Sequence, residues 1–103
     1  MLTNKDILNI TKKIAENFNP EKIYLFGSYA NGKPNEDSDL DIAVILDNEK
    51  TNLDNLRNIR YLLKDVNNPM DIIVYKGAEF NNKIENRYTF ETNIQNEGIL
   101  LYG

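Results

Sequence analysis

Residues 40–46, LDIAVIL, form an almost unbroken apolar run. Apolar residues that do not alternate with polar ones belong to a strand covered on both faces, so the run reads as a buried strand. Two further β-branched or aromatic runs read the same way: KIYLF, residues 22–26, which stops at Gly27, and MDIIVY, residues 70–75. Helical patterns separate them. Thr3 with Asp6 has the form of a capping box, and Leu2 and Ile7 stand where a hydrophobic staple would place them. Ile7, Ile10, Ile14 and Phe18 continue an apolar stripe that Asn19-Pro20 ends, which predicts a helix over about 4–18. Thr51 with Asp54 repeats the cap. Leu53, Leu56, Ile59, Leu63 and Val66 then predict a helix over 52–66, closed by Asn67-Asn68-Pro69. From Ala78 the spacing of Phe80, Ile84 and Tyr88 is helical, and Phe90 with Ile94 continues it after a bend. Gly98 ends that segment, and Ile99-Leu100-Leu101-Tyr102 fits a short fourth strand. This order predicts one α/β (α+β) domain over residues 1–103, a small mixed sheet of three to four strands with packed helices.

What such a domain can do is narrowed by two absences: the chain has no His and no Cys. That removes Ser-His triads, His and thiolate metal sites, Cys nucleophiles and disulfides. Chemistry must run on carboxylates, hydroxyls, Lys or Arg, a set suited to hard metal ions. Twelve Lys and Arg against 16 Asp and Glu give a net charge of −4, which argues against a nucleic-acid partner because phosphate backbones call for a basic face. The opening MLTNKDILNI holds no apolar run long enough for a leader or a membrane span, so a cytoplasmic protein is expected.

The candidate chemistry lies at three strand ends. Gly27-Ser28 follows the first strand, Asp39 and Asp41 open the second, and Asp71 opens the third. If the first two strands are antiparallel neighbours, and the third runs parallel to the second through the crossover helix, all of them share one edge of the sheet. Residues two apart on a strand face the same way, so Asp39 and Asp41 project together, opposite Leu40 and Ile42, with carboxylates within roughly 7 Å. Crowded carboxylates repel one another and raise each other's pKa values; Mg²⁺ relieves the conflict and leaves coordination places for phosphate and water. Taken singly, each residue is more simply a solvated turn residue or a helix cap. Their convergence is what points to a site.

Three other patterns fail. Gly27 to Lys33 spells most of a P-loop, but Pro34 follows where Ser or Thr must bind the metal, and NEDSD reads as loop instead of helix. Asp37, Asp39 and Asp41 open like an EF-hand, but Ile42 and Asn48 replace the required Gly and Glu. Lys5, Lys12, Lys13 and Lys22 are interspersed with acids and form a solvated face.

Gly27-Ser28-Tyr29-Ala30-Asn31-Gly32, Ser38-Asp39-Leu40-Asp41-Ile42 and Asp71, with the closing Gly98-Ile99-Leu100-Leu101-Tyr102, resemble the minimal nucleotidyltransferases of the polymerase-β-like superfamily. The resemblance covers nearly the whole chain. It implies the polymerase-β-like fold, with Gly27 and Ser28 holding the triphosphate of ATP. It also implies that Asp39 and Asp41 hold two Mg²⁺ ions, with Asp71 completing the site for the ion that activates an acceptor hydroxyl. Two ions about 4 Å apart stabilise the entering and the leaving oxygens of such a transfer. Minimal members typically occur as antitoxins beside a HEPN-domain toxin and transfer AMP to a tyrosine of it, so the resemblance implies ATP and a HEPN toxin as partners.

One residue departs from that pattern: Asn31 stands where the family commonly has Arg, and Lys33 would compensate only as a point charge. The departure leaves a non-catalytic antitoxin that acts by contact as an alternative. A subunit of a small-molecule nucleotidyltransferase, whose substrate domain is a separate chain, is another. The acceptor, the base preference and the assembly, whether of like or unlike chains, stay open at this level.

Overall fold

The computed structural model describes residues 1–86 and 89–103. The first helix, α1 (Asn4–Phe18), begins with the reciprocal cap that its sequence calls for. The Asp6 N–H donates to Thr3 Oγ1 (3.1 Å), and the Thr3 N–H donates to Asp6 Oδ2 (2.8 Å). It stops at Asn19, whose left-handed φ of 49° turns the chain into Pro20. There follow β1 (Lys22–Phe26), β2 (Leu40–Ile45), α2 (Asn52–Leu62), β3 (Met70–Tyr75), α3 (Gly77–Ile84), α4 (Phe90–Glu97) and β4 (Ile99–Tyr102).

The sheet has the order β3-β2-β1-β4. β1 runs antiparallel to β2 and to β4, while β3 runs parallel to β2 through the α2 crossover, so the expected mixed sheet is present with its fourth strand. β2 lies inside the sheet, and both of its faces are covered. On one face Leu40, Ile42 and Val44 pack with Ile23, Leu25, Ile72 and Val74 beneath α1 and α2, which contribute Ile10, Ile14 and Ile59, with Leu63 just past the end of α2. On the other face Ala43 and Ile45 meet Tyr24, Tyr75, Phe80 and Ile94, the last two from α3 and α4. Phe80 lies between two tyrosines, with ring centroids 5.8 Å from Tyr24 and 5.2 Å from Tyr75. Burial on both faces is why the β2 sequence shows no polar alternation.

Three sequence expectations shift. The strand expected over 40–46 ends at Ile45, within the usual uncertainty of an element end. The helix expected over 52–66 ends at Leu62. Beyond it, the Lys64 N–H bonds to Tyr61 O (3.3 Å) and the Val66 N–H to Leu63 O (3.0 Å), tighter turns that replace the α-helical ladder. Val66 still packs against the core, which is why apolar periodicity outlasts the helix. Leu53, expected on the buried stripe of α2, is 54% exposed, and Asn55 is fully buried in the same helix. Asn55 exchanges two side-chain hydrogen bonds of 3.0 Å with Asn48, which satisfies its amide. The segment from Ala78 divides into α3 and α4 as expected, with Thr89 capping α4; Tyr88, placed on its apolar stripe, lies outside the described residues.

Candidate active site

β1 ends by pairing Phe26 with Asp41, and β2 pairs Asp41 with Asp71. These two registers put Gly27, Asp41 and Asp71 side by side at one end of the sheet. Gly27 has a φ of +73°, a left-handed value that glycine adopts freely. It is also pressed against its neighbour: a Cβ there would collide with the Asp41 carboxylate and lie 3.1 Å from its Cγ. The residue is therefore fixed twice, by its dihedral and by the carboxylate beside it.

From Gly27 the chain makes a single helical turn. The Gly27 carbonyl accepts the N–H groups of Ala30 (3.0 Å) and Asn31 (3.1 Å), and the Ser28 carbonyl accepts that of Lys33 (3.1 Å). Asn31 Oδ1 shares the Lys33 N–H at 3.0 Å, so the residue standing in for Arg closes this turn. Tyr29 fastens the turn to the body of the protein. Its ring packs on the α1/α2 core, and its hydroxyl accepts the Leu2 N–H at 3.0 Å, just before the α1 cap. Ser28 is half-buried, and Lys33 is exposed at the far end of the turn.

The approach to the two aspartate strands is tied just as closely. The Leu40 N–H bonds to Pro69 O (2.9 Å), and Asn68 Nδ2 bonds to Ser38 O (3.4 Å) and Pro69 O (2.9 Å). Asp39 and Asp71 thus start from segments laced together. Leu40 and Ile42 face the α1/α2 core, so Asp39 and Asp41 project to the other side, as their spacing predicts. Asp39 and Asp71 are exposed, and Asp41 is half-buried. Burial pushes the Asp41 carboxyl above the usual carboxylate range, and the negative charges of Asp71 and Asp39 push it further. Among the described residues the ion pair present is Lys12–Glu16, on α1, and none of their Lys or Arg side chains forms an ion pair with these aspartates.

The three aspartates do not close into a ready-made cage: among the described residues no three acidic side chains stand as a metal-holding cluster. The donor set nonetheless fits Mg²⁺, which takes one or two carboxylates and completes its shell with water and phosphate oxygens. Asp41, with its excess of negative charge, and its neighbours Asp39 and Asp71 are the residues that could hold it. Next to Gly27 a hollow of about 260 Å³ opens between the 27–31 turn and α4, bordered by Phe26, Asn31, Phe90, Asn93 and Glu97. A second hollow of about 270 Å³, which includes Asp6, Ile10 and Val66, lies on the α1 side, away from the aspartates. The sequence singled out neither: Asn93 and Glu97 are ordinary polar residues of an exposed helix face until the register of β1 is known.

Residues 8–103 match the family model described as "Polymerase beta, Nucleotidyltransferase". A protein of Methanocaldococcus jannaschii, named as a candidate protein adenylyltransferase, is 40% identical over 76 residues, covering 71% of this chain and 76% of that one. Among solved structures, a chain from a toxin–antitoxin crystal structure with AMP-PNP superposes with a TM-score of 0.65 at 23% identity, over 93% of this chain and 73% of the other. A nucleotidyltransferase candidate of Sulfolobus solfataricus superposes with a TM-score of 0.59 at 22% identity, over 91% of this chain and 74% of the other. These two share the fold. The family match over nearly the whole chain and the archaeal relative identify more than the fold: this chain belongs to the polymerase-β nucleotidyltransferase family and is an enzyme of nucleotidyltransferase type.

Proposed function

We propose that the chain is a cytoplasmic antitoxin that transfers AMP from ATP to a hydroxyl of a cognate toxin, a HEPN-domain protein whose acceptor is a tyrosine. The observation that carries this reading is Asp41, held between Gly27 and Asp71 with a carboxyl that its surroundings disfavour as an anion. A carboxylate so placed gains most from a cation and a phosphate chain arriving together. The archaeal relative is named for protein adenylylation, and two of the structural neighbours are toxin–antitoxin proteins, one determined with an ATP analogue. Both facts support a protein acceptor and a nucleotide donor.

In the reaction the acceptor oxygen forms a bond to the α-phosphorus of ATP, and the bond to the β-phosphate oxygen breaks, releasing pyrophosphate. Gly27, lacking a side chain, lets the triphosphate approach the backbone of the turn, and the Ser28 hydroxyl is available to donate to a phosphate oxygen. Asp39, Asp41 and Asp71 would hold two Mg²⁺ ions, which when bound supply neutralisation of the triphosphate and a more acidic acceptor hydroxyl. Lys33 adds a positive charge at the end of the turn. Asn31 cannot do the work of an Arg, since its side chain closes the turn on the Lys33 N–H. That contact favours a second reading, a partner-binding protein with a weakened site.

Co-expression with the toxin, followed by incubation with ATP labelled at either the α- or the γ-phosphate, decides between them. Nucleotidyl transfer leaves α-label on the toxin and no γ-label. Neutralisation without either label contradicts the transfer reading and leaves the contact reading.

A further inference from the structure

The charge of this chain is unevenly spread. Residues 4–18 and 52–66, which carry α1 and α2, hold six Lys and Arg against four Asp and Glu, while the rest of the chain holds six against twelve. On α1 Lys12 pairs with Glu16, and Asp6 caps the helix. On α2 the cations are left unanswered: among the described residues neither Arg57 nor Arg60 forms an ion pair. At 3.6 residues per turn, Leu53, Arg57, Arg60 and Tyr61 fall within an arc of about 100°, on the side of the helix away from the buried Asn55 and Ile59. Two large apolar side chains stand in water in that arc, Tyr61 at 70% and Leu53 at 54% exposure. Just past the helix, Lys64 Nζ lies 4.3 Å from the centre of the Tyr61 ring and adds a third cation. Taken singly, each is an ordinary surface residue. Arg and Tyr on one face are the side chains that protein interfaces concentrate and that carry most of their binding energy.

We propose that this face of α2 is a docking surface for an acidic segment of the acceptor protein, with carboxylates on Arg57, Arg60 and Lys64 and apolar side chains over Leu53 and Tyr61. The inference rests on the nucleotidyl-transfer reading for the partner it names. Charge complementarity selects the occupant: a carboxylate-bearing segment is repelled by the acidic remainder of the chain and drawn to this face. A nucleic-acid strand suits the face less, since it has no aliphatic group to cover Leu53 and its run of phosphates would extend onto a surface of net negative charge. The position also suits an acceptor. α2 covers the side of the sheet opposite to the one into which Asp39 and Asp41 project, so a protein held there leaves the aspartate side open. The helix runs back toward the start of β3, which places Tyr61 toward the carboxylate edge and Leu53 about 12 Å farther from it along the helix.

The test separates docking from chemistry. Wild type, Arg57→Ala/Arg60→Ala and Lys83→Glu are titrated with the cognate toxin in the absence of ATP, at low and at high salt, and then assayed for transfer from α-labelled ATP. Each variant lowers the net charge by two, but Lys83 is exposed on α3, which packs on the other side of the sheet. The expected result is that Arg57→Ala/Arg60→Ala weakens toxin binding by about tenfold or more at low salt and by less at high salt. It should raise the Michaelis constant for the toxin more than it lowers the turnover number, and leave the melting temperature and the affinity for Mg²⁺-ATP unchanged. Lys83→Glu should change none of these. With benzoylphenylalanine in place of Tyr61, irradiation is expected to crosslink a toxin peptide rich in Asp and Glu. Unchanged toxin affinity in Arg57→Ala/Arg60→Ala overturns the inference, and so does equal weakening by Lys83→Glu or a crosslink to a peptide without acidic residues. Self-association, or retention of single-stranded RNA, that the double variant loses while toxin binding stays also overturns it. Toxin held through this face but never labelled upholds the docking surface and contradicts the transfer reading. Wild type that binds no toxin overturns both.

Discussion

Asp41 and Asp71 are direct partners across the parallel β2–β3 ladder, and on its other side Asp41 pairs with Phe26, the residue before Gly27. One carboxylate is thereby placed between a second carboxylate and a glycine turn. From this arrangement follow the charge, the steric limits and the chemistry of the site.

Asp41 should cost stability in the absence of metal. Its carboxyl is held above the usual range by burial, then by Asp71 and Asp39. The folded state therefore binds this proton more tightly than the unfolded state, and stability falls as pH rises through the ordinary range toward the raised folded value. Asp41→Asn is expected to melt above the wild type near neutral pH, and the gap is expected to close in acid, where both are uncharged at this position. Mg²⁺ with ATP should raise the melting temperature of the wild type and not of the variant. Thermal melts over a pH series check all three.

Gly27→Ala is expected to damage fold and binding together. The added methyl meets the Asp41 carboxylate, and the φ of +73° strains any side-chain-bearing residue. A loss of about 1–3 kcal/mol is expected from denaturant unfolding, because backbone held in a sparsely populated region costs that much. ATP titration should show binding lost under conditions where the variant is still folded. Gly32→Ala separates the two causes, since its φ is +78° but nothing stands within 4 Å of its would-be Cβ. It should lose stability and keep ATP.

Ser28→Ala and Ile42→Asp are expected to fail differently. Ser28 is half-buried on the turn, and no fold contact depends on its hydroxyl among the bonds described, so its loss should reduce ATP affinity and leave the melting temperature nearly unchanged. Ile42 is 1% exposed in the central strand, and a carboxylate there has no partner, so the variant should be unfolded by circular dichroism.

Tyr29→Phe tests how the turn is anchored. The ring stays in the core, but the Leu2 N–H loses its acceptor. A stability loss of about 1 kcal/mol is expected, the usual worth of one hydrogen bond. The Michaelis constant for ATP should rise more than the turnover number falls, since the proposed role of the turn is to hold phosphate and not the acceptor.

The fold was legible where local chemistry agreed with its surroundings. The cap of Thr3 and Asp6, the parity of Asp39 and Asp41, and the unbroken apolar run of β2 each carry their own structural consequence, and the antiparallel and parallel pairings supposed for the three strands are the ones observed. Long-range packing was less visible. Asn55 reads as a polar helix residue because its partner, Asn48, lies in the preceding loop. The premature end of α2 was hidden by Val66, which stays apolar for the core after leaving the helix. At the site, the common face of Asp39 and Asp41 was readable from their spacing, and their convergence with Asp71 followed once the strand pairings were supposed. The contact between Gly27 and the Asp41 carboxylate required the register of β1 on β2, and the border formed by Asn93 and Glu97 required the docking of α4 beside the turn.

The central claim is that the carboxylate edge performs transfer, not contact alone, and Asp71 is its sharpest probe. Asp71 lies at the exposed rim beside Asp41, and the family resemblance gives it the acceptor side more than nucleotide binding. The direct measurement is the intact mass of the toxin after incubation with ATP, Mg²⁺ and either wild type or Asp71→Asn. The account predicts a gain of about 329 Da per AMP with the wild type, the mass added when a hydroxyl displaces pyrophosphate. It predicts no gain with Asp71→Asn, although that variant still binds ATP and the toxin. A toxin neutralised without change of mass by the wild type, and equally well by Asp71→Asn, would contradict it.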